Sequence, residues 1–530
     1  MFVAASQHHP VLMLPHLLRA LSIVCAFLVA LTAFTPALLL AQPAPRPNIV
    51  LLMGDDHGWD ETAYNGHPYL KTPVLDEMAR TGLRLDRFYS GGSSCSPTRA
   101  TVITGRNHNR SGTFQPGWSL RPEEIGVARL LRDAGYATGH FGKWHLGPVK
   151  AASPVNPGAM GFEEWFSHDN FFELDPWFSR NGAPPVQVKG ESSAIVVAEA
   201  LRFIARAKAA MRPFFVVIWF GSPHEPYQAL PQDLALYDGL PETFANRQVQ
   251  LTSNETGRNV RRLQRDVLRE RFAEITAMDR AIGELRTELR RTGLREQTLL
   301  WYCGDNGTSQ DAAATVPFRG WKGSIYEGGI RVPGVIEWPA RFARPRITDI
   351  NTVTSDMLPT LCELAGARLP DRPLDGISLV PLFDGRLTER PRPIGFWNAR
   401  ARAGGATRGR PYIDPELQKG TTPLVKLGPD GASTRNFSNF RHPDIREEDF
   451  GGARAFLDNR YKLVLDGAPG AGQELFDVRQ DPAEKNNLIA AHPEVAQRLE
   501  QQLRAWQQSV LESLTGADYQ PGSKRKHDLE

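Results

Sequence analysis

Four apolar runs recur along the chain, and each ends in a short polar cluster. "NIVLLM" (48–53) leads into "GDDHGWDE", "YATGHF" (136–141) into "GKWHLG", "PFFVVIWF" (213–220) into "GSPHEP", and "TLLWYC" (298–303) into "GDNG". Short continuous apolar runs predict strands buried on both faces of a helix-covered sheet. Helix-like stretches lie between them. "EEIGVARLLRDAG" is amphipathic and stops at Gly135. Phe272, Ile275, Met278, Ile282, Leu285 and Leu289 recur at three- and four-residue spacing and predict a helix over about 261–291. This alternation predicts an α/β/α sandwich around a large, mostly parallel mixed sheet. Functional groups of such sheets gather beyond the carboxyl ends of the strands, where the four polar clusters fall.

The texture changes near residue 398. Residues 399–441 are rich in Arg, Gly, Pro and Ala, with eight Lys/Arg against three Asp/Glu. They read as a long irregular insertion, solvated at the surface in preference to binding substrate. After it, "RAFLDNRYKLVLDG" and "QELFDV" predict antiparallel strands and "HPEVAQRLEQQLRAWQQSV" a closing helix, together a small α+β subdomain. The stretch "ALSIVCAFLVALTAFTPALLLA" (20–41) resembles a secretory signal with an oversized apolar region, cleaved near Ala41. Its length also permits an uncleaved membrane anchor. Either way the body of the protein is expected outside the cytoplasm, in a periplasmic or secreted setting. The expected domains are a signal peptide (1–41), a catalytic domain (42–390), a C-terminal subdomain (391–515) that includes the basic loop, and a disordered tail (516–530).

Composition narrows the function only a little. A net charge of +3 over 530 residues gives no footprint for nucleic acid, and "SKRK" near the end reads as a solvated tail. The sequons at Asn109, Asn254, Asn306 and Asn436 matter only in a host that glycosylates. Cys25 falls in the signal, leaving Cys95, Cys303 and Cys362, an odd number that allows at most one disulfide. Cys303 and Cys362 lie in apolar surroundings and read as core. Cys95, in "FYSGGSSCSPTRATVITGR", sits in a small-residue, exposed setting with no Cys or His nearby to share a metal or a disulfide. That points to chemistry at the cysteine itself.

Asp55 and Asp56 after one strand, with Asp305 and Asn306 after another, form a set of hard oxygen donors suited to Ca²⁺ or Mg²⁺. Each pair alone could equally be a helix cap or a turn. His145, His224, Lys143 and Arg99 add cations and proton-transfer groups. A divalent metal, histidines, cations and a nucleophile together suit an oxyanion ester.

"CSPTRATVITGR" resembles the signature of the type I sulfatases, in which Cys-x-Pro-x-Arg marks a cysteine for oxidation to Cα-formylglycine. "PNIVLLMGDDHGWD", "GYATGHFGKWHLG", "GSPHEPY", "DNGTS" and "GWKGSIYEGGIRVPGVIEWP" resemble that family's other motifs in order, over nearly all of residues 47–385. The C-terminal "RYKLV" and "ELFDVRQDPAEKNNL" resemble its small domain. The resemblance implies an alkaline-phosphatase-like fold and hydrolysis of sulfate monoesters, arylsulfatase-type, by the hydrate of a formylglycine made from Cys95. It implies a Ca²⁺ site from Asp55, Asp56, Asp305, Asn306 and the modified Cys95. Arg99 would hold the diol oxygen and the metal-side charge. Lys143 and His145 would orient the diol, His224 would protonate the leaving alcohol, and Lys322 would bind sulfate oxygens. The implied partners are a formylglycine-generating enzyme during maturation and a small-molecule or carbohydrate sulfate ester. Phe171, Trp118, Trp165 and Trp177 could line a sugar subsite or serve only in packing. The rival readings are a phosphonate monoester or phosphodiester hydrolase of the same superfamily and a non-catalytic sulfated-glycan binder.

Overall fold

The computed structural model describes residues 1–2, 46–252, 258–399, 410–423, 434–465 and 472–519. The apolar segment 20–41, parts of the basic segment and residues 520–530 lie outside them. Strand β1 (Asn48–Gly54) alternates its side chains between two cores. Ile49, Leu51 and Met53 enter one cluster, and Val50 and Leu52 enter the other. This two-fold period is why the run is apolar throughout.

The main sheet adds β2 (Leu83–Leu85), β3 (Ala137–Lys143), β4 (Glu164–His168), β5 (Trp177–Arg180) and β6 (Val186–Gln187). It continues with β7 (Phe214–Trp219), β8 (Thr298–Gly304), β9 (Gly334–Glu337) and β10 (Arg346–Thr348). The order is β10-β2-β9-β8-β1-β7-β3-β4-β5-β6. The central run β8-β1-β7-β3-β4 is parallel, and antiparallel pairs flank it. Helices α1 (Pro73–Thr81), α4 (Ser192–Ala209) and α5 (Gln264–Arg291) cover one face, packing Met78, Val196 and Phe272 on Val50 and Leu52. Helices α2 (Cys95–Thr104), α3 (Val127–Asp133) and α6 (Met357–Ala365) cover the other, with Ile103, Leu131 and Leu361 on Ile49 and Leu51. The predicted sandwich is the fold. Helix α5 begins three residues later than its periodicity predicts, because Asn259–Leu263 pair as a strand with Gln248–Thr252.

Strands β11 (Ile394–Ala399), β12 (Gly452–Leu457), β13 (Tyr461–Leu465) and β14 (Gln473–Asp477) form a separate antiparallel sheet in chain order. One face takes helix α7 (Pro493–Leu514), through Leu499, Leu503 and Trp506 on Phe456 and Leu463. The other face packs Phe396 and Val464 on Tyr89, Ile325 and Ile330. A buried charge cluster crosses that seam. Lys462 Nζ lies 3.0 Å from Glu327 and 2.8 Å from Glu484, and Glu484 in turn accepts the Glu327 amide at 2.7 Å. Asp375 makes a second tie, accepting two bonds from Arg110 (2.8 and 2.9 Å) and one from the Trp506 indole (2.8 Å).

Two expectations change. Residues 517–519 form a 3-10 turn in which Asp518 pairs with Arg106 and the Tyr519 hydroxyl donates to Glu124, so the boundary placed at 516 falls inside an anchored stretch. The described parts of 399–441 are not simply solvated: Ile413, Gln418, Thr422, Phe437 and Asn439 are buried. The Asn439 amide donates to the Ser111 and Ser119 carbonyls at 2.9 and 2.7 Å, and the Thr422 amide donates to Asp169 at 2.8 Å. Polar residues with partners pack as well as apolar ones, which composition alone does not reveal.

Candidate active site

The parallel register brings the strand ends together. Gly54 of β1 stands opposite Gly304 of β8, so Asp55 and Asp56 emerge beside Asp305 and Asn306. The Asp305 amide donates to the Gly54 carbonyl at 3.1 Å, and the Asp56 amide donates to Asp305 Oδ1 at 2.8 Å. Asp56 (φ 61°) and His145 (φ 55°) both occupy the left-handed region, a strain that collects at functional sites.

Cys95 is the first residue of α2 and is buried, against the exposed setting expected for it. The small residues before it are needed for that burial. A side chain on Gly91 would meet Thr101 Oγ1 at 2.5 Å, and one on Gly92 would meet Pro97 Cβ at 2.6 Å. The thiol donates to Asp55 Oδ1 at 3.3 Å and lies 3.8 Å from Asp56 Oδ1. Burial and the Asp55 charge push the thiol well above its ordinary range, so it makes a poor thiolate nucleophile.

Charges of both signs surround it. Lys143 bonds Asp55 Oδ2, Arg99 donates to Asp305 Oδ2 at 2.8 Å, and Lys322 Nζ reaches Asp56 Oδ2 at 2.7 Å. Burial opposes ionisation of Asp55, but Lys143, His224 and Arg99 hold its carboxyl well below the usual range. Asp305 goes the other way: burial and the neighbouring Asp55 raise it to about 7 despite Arg99. His224 Nε2 lies 3.2 Å from Lys322 Nζ, and burial together with that ammonium lowers its imidazole to about 4. Phe171 stacks on the His224 ring at 5.1 Å. His145 is buried with neither ring nitrogen partnered among the described residues, while its carbonyl accepts from Ser96 Oγ at 2.6 Å.

One ligand atom each from Asp55, Asp56, Cys95 and His224 can lie within 4.8 Å of one another. Asn306 donates its amide to Asp56 Oδ1 at 2.9 Å and leaves Oδ1 buried without a partner. Crowded carboxylates, an orphaned amide oxygen and an Asp305 pushed to about 7 fit a hard divalent cation. Here His224 joins the cluster through its ring nitrogen, whereas the Asp305 oxygens are engaged by the Asp56 amide and Arg99.

Every residue singled out as catalytic or metal-binding lies at this end of the sheet. Of the four aromatics named as possible sugar contacts, Phe171 alone stacks on a site residue. Trp118 packs on Phe114 and Phe440, Trp165 is buried, and Trp177 sits in β5. Sequence reading misses Asn398. From β11 it accepts from Ser93 Oγ at 2.8 Å and donates to the Gly323 carbonyl at 2.9 Å, bridging the loops that carry Cys95 and Lys322. No local pattern marks it, since its partners lie 305 and 75 residues away in the chain.

The sulfatase family model matches residues 47–367. Human arylsulfatase A (Homo sapiens) is 34% identical over 393 residues, covering 67% of this chain and 70% of the relative. The N-acetylgalactosamine-6-sulfatase of Canis lupus familiaris is 32% identical over 392 residues, covering 66% and 69%. The solved structure of Ps i-CgsB in complex with k-i-k-neocarrahexaose is 21% identical with a TM-score of 0.69, covering 88% of this chain and 93% of that one, and shows the same fold. With the family model spanning most of the catalytic sandwich, this chain belongs to the sulfatase family of sulfuric ester hydrolases.

Proposed function

We propose that the chain hydrolyses sulfate monoesters at the Cys95 cluster, with Cys95 converted to formylglycine and the ester borne by a carbohydrate. The observation that carries this is the setting of Cys95. Its thiol is held protonated in a buried nest of carboxylates and cations, where an unmodified cysteine would be inert. Conversion to the aldehyde supplies a hydrated carbon with two hydroxyls, one to attack sulfur and one to expel sulfate as the aldehyde re-forms. Asp55, Asp56 and Asn306, with Asp305 at their edge, would hold a Ca²⁺ whose charge steadies the nucleophile and the sulfate oxygens.

The chain's own residues do the rest. Lys322 stays protonated because Asp56 overrides the penalty of burial, and it offers its ammonium to a sulfate oxygen. His224, beside it, gives a proton to the leaving alcohol. Lys143 and His145, on the other flank, orient the two hydroxyls. The His145 imidazole, kept neutral by burial and the Lys143 charge, takes the proton released when the second one collapses. Arg99, locked on Asp305, keeps a fixed positive charge under the reacting carbon. The conversion is a two-electron oxidation of the Cys95 Cβ that releases the sulfur as sulfide, so it requires a maturing enzyme and an external oxidant such as dioxygen. An extracytoplasmic setting follows from the apolar segment 20–41; among the described residues no helix is long and apolar enough to cross a membrane.

The test is the mass of the tryptic peptide Phe88–Arg99 from protein made in its native host, together with sulfate release from 4-nitrophenyl sulfate. An aldehyde or hydrate at Cys95 with turnover supports the reading. An unmodified thiol in active protein would sink it.

A further inference from the structure

Arg435 stands out among the arginines around this site because its guanidinium has no partner among the described residues. Arg99 bonds Asp305, Arg110 bonds Asp375, Arg106 pairs with Glu124, and Arg121 donates to the Leu514 carbonyl. Among the described residues, no carboxylate, carbonyl or hydroxyl accepts from Arg435, which is half-buried. None of its nitrogens is among the buried polar atoms without a partner, so the guanidinium keeps access to water and is free to take an anion from outside the chain.

Its place in the fold says where that anion would sit. The guanidinium lies across Gly117: a Cβ there would sit 3.3 Å from Nε and 3.5 Å from Nη2. The Gly117 amide donates to Ser96 Oγ at 3.3 Å, and Ser96 follows Cys95. Ser438, three residues past Arg435, donates its amide to the Gly117 carbonyl at 3.2 Å and so fixes the strand of chain that carries the arginine. Phe437, two residues past Arg435, meets the His145 ring edge-on at 6.2 Å, which places the arginine on the His145 side of the cluster. After burial and Lys143, its charge is the next to hold that imidazole below its ordinary range. Lys322 and His224 lie on the other side of Cys95, against Asp56. The three cations nearest Cys95 are each matched by a carboxylate: Arg99 by Asp305, Lys143 by Asp55, Lys322 by Asp56. Among the described residues, Arg435 is a charge beside the site that no carboxylate matches.

We propose that Arg435 forms a second anion subsite, which recognises a carboxylate or a further sulfate on the molecule whose sulfate ester is cleaved. The inference rests on the hydrolysis proposed above. It assigns the substrate class as a sulfate ester with at least one additional anionic group, bound bidentately by the guanidinium.

The experiment uses the full, matured chain and three probes: phenyl sulfate, 3-carboxyphenyl sulfate and 1,3-phenylene bis(sulfate). The expected wild-type result is a kcat/KM about tenfold or more higher for at least one doubly charged probe than for phenyl sulfate. Preference for the carboxylate or for the second sulfate identifies which anion the subsite takes. Arg435→Gln is expected to reduce that preference ratio about tenfold, with Arg435→Lys retaining part of it. No preference in the wild type, or a ratio that Arg435→Gln leaves unchanged, overturns the inference while leaving sulfate hydrolysis standing. If no probe turns over, the same ratio is read from calorimetric binding to the Cys95→Ala chain. A ratio moved by Arg435→Gln then supports the subsite although hydrolysis has failed, and an unmoved ratio overturns it.

Discussion

Lys322 Nζ and His224 Nε2 lie 3.2 Å apart, and only one of them carries a charge. Asp56 keeps the lysine protonated, and the lysine with burial holds the imidazole near 4. A sulfate arriving between them favours the charged imidazole, so binding should take up a proton. The pKa of His224 rises on binding, and affinity therefore strengthens as pH falls through the bound value and levels off near 4. Calorimetric titration of inorganic sulfate into the Ca²⁺-loaded Cys95→Ala chain between pH 8 and pH 5 should show this slope. His224→Gln should flatten it; a pH-independent affinity in the parent would refute the linkage.

Cys95→Ser separates attack from release. A serine hydroxyl has no second oxygen on its carbon with which to expel sulfate. The variant should release at most one equivalent of alcohol per chain and then stall, with steady-state turnover down on the order of 10³-fold or more. A chain modified by the mass of one sulfate at residue 95 is the expected product. Sustained turnover by this variant would mean that the geminal diol is dispensable.

Metal should stabilise the fold as well as serve chemistry. Three carboxylates converge on Cys95, and Asp305 is already raised to about 7 by burial and by its carboxylate neighbours. Ca²⁺ should raise the melting temperature in a concentration-dependent way, adding about 2.7 kcal/mol at one hundred times its Kd. Asp55→Asn with Asp56→Asn should abolish the shift. A melting temperature indifferent to both Ca²⁺ and chelator would argue against a cation at these residues.

Asp375 offers a stability test far from the chemistry. Burial raises its pKa, but Arg110 and the hydrogen bonds from Asn107 and Trp506 win, and the carboxyl falls to about 2. A depressed folded value contributes stability that is present above the unfolded value near 4 and is lost as pH falls through about 2. Asp375→Asn should therefore cost about 2 kcal/mol or more at pH 6, with the gap narrowing steadily below pH 4. Urea melts of the two proteins at pH 6 and pH 3 measure the difference. An equal gap at both values would show that the ion pair is not its source.

The central strands and their polar ends were legible because each is a local pattern. An apolar run, a turn and an acidic or basic residue all lie within about ten positions of one another, as at Met53–Asp56 or Cys303–Asn306. What was not legible depends on pairs far apart in the chain. The bridge from Asn398 to Ser93 spans 305 residues, and the Lys462–Glu327 pair spans 135. The short strands β10, at one edge of the sheet, and β2 beside it, three residues each, lack the length for any period to show. The burial of Cys95 was misjudged for a related reason. Glycine and serine are enriched in exposed loops, but at Gly91 and Gly92 they are small because Thr101 and Pro97 press against them.

The parallel pairing of β1 with β8 also sets a clock. Asp305 and Asn306 close the nest around Cys95, yet they are made 306 − 95 = 211 residues later. At ribosomal speeds of about 5–20 residues per second, the cysteine waits on the order of 10–40 s before the strand that helps to enclose it exists. A side chain almost wholly shut away in the finished molecule is thus reachable throughout that interval, and the proposed conversion to formylglycine would have to fall within it. Folding then ends the opportunity, and a copy that misses it carries an inaccessible thiol from that point on.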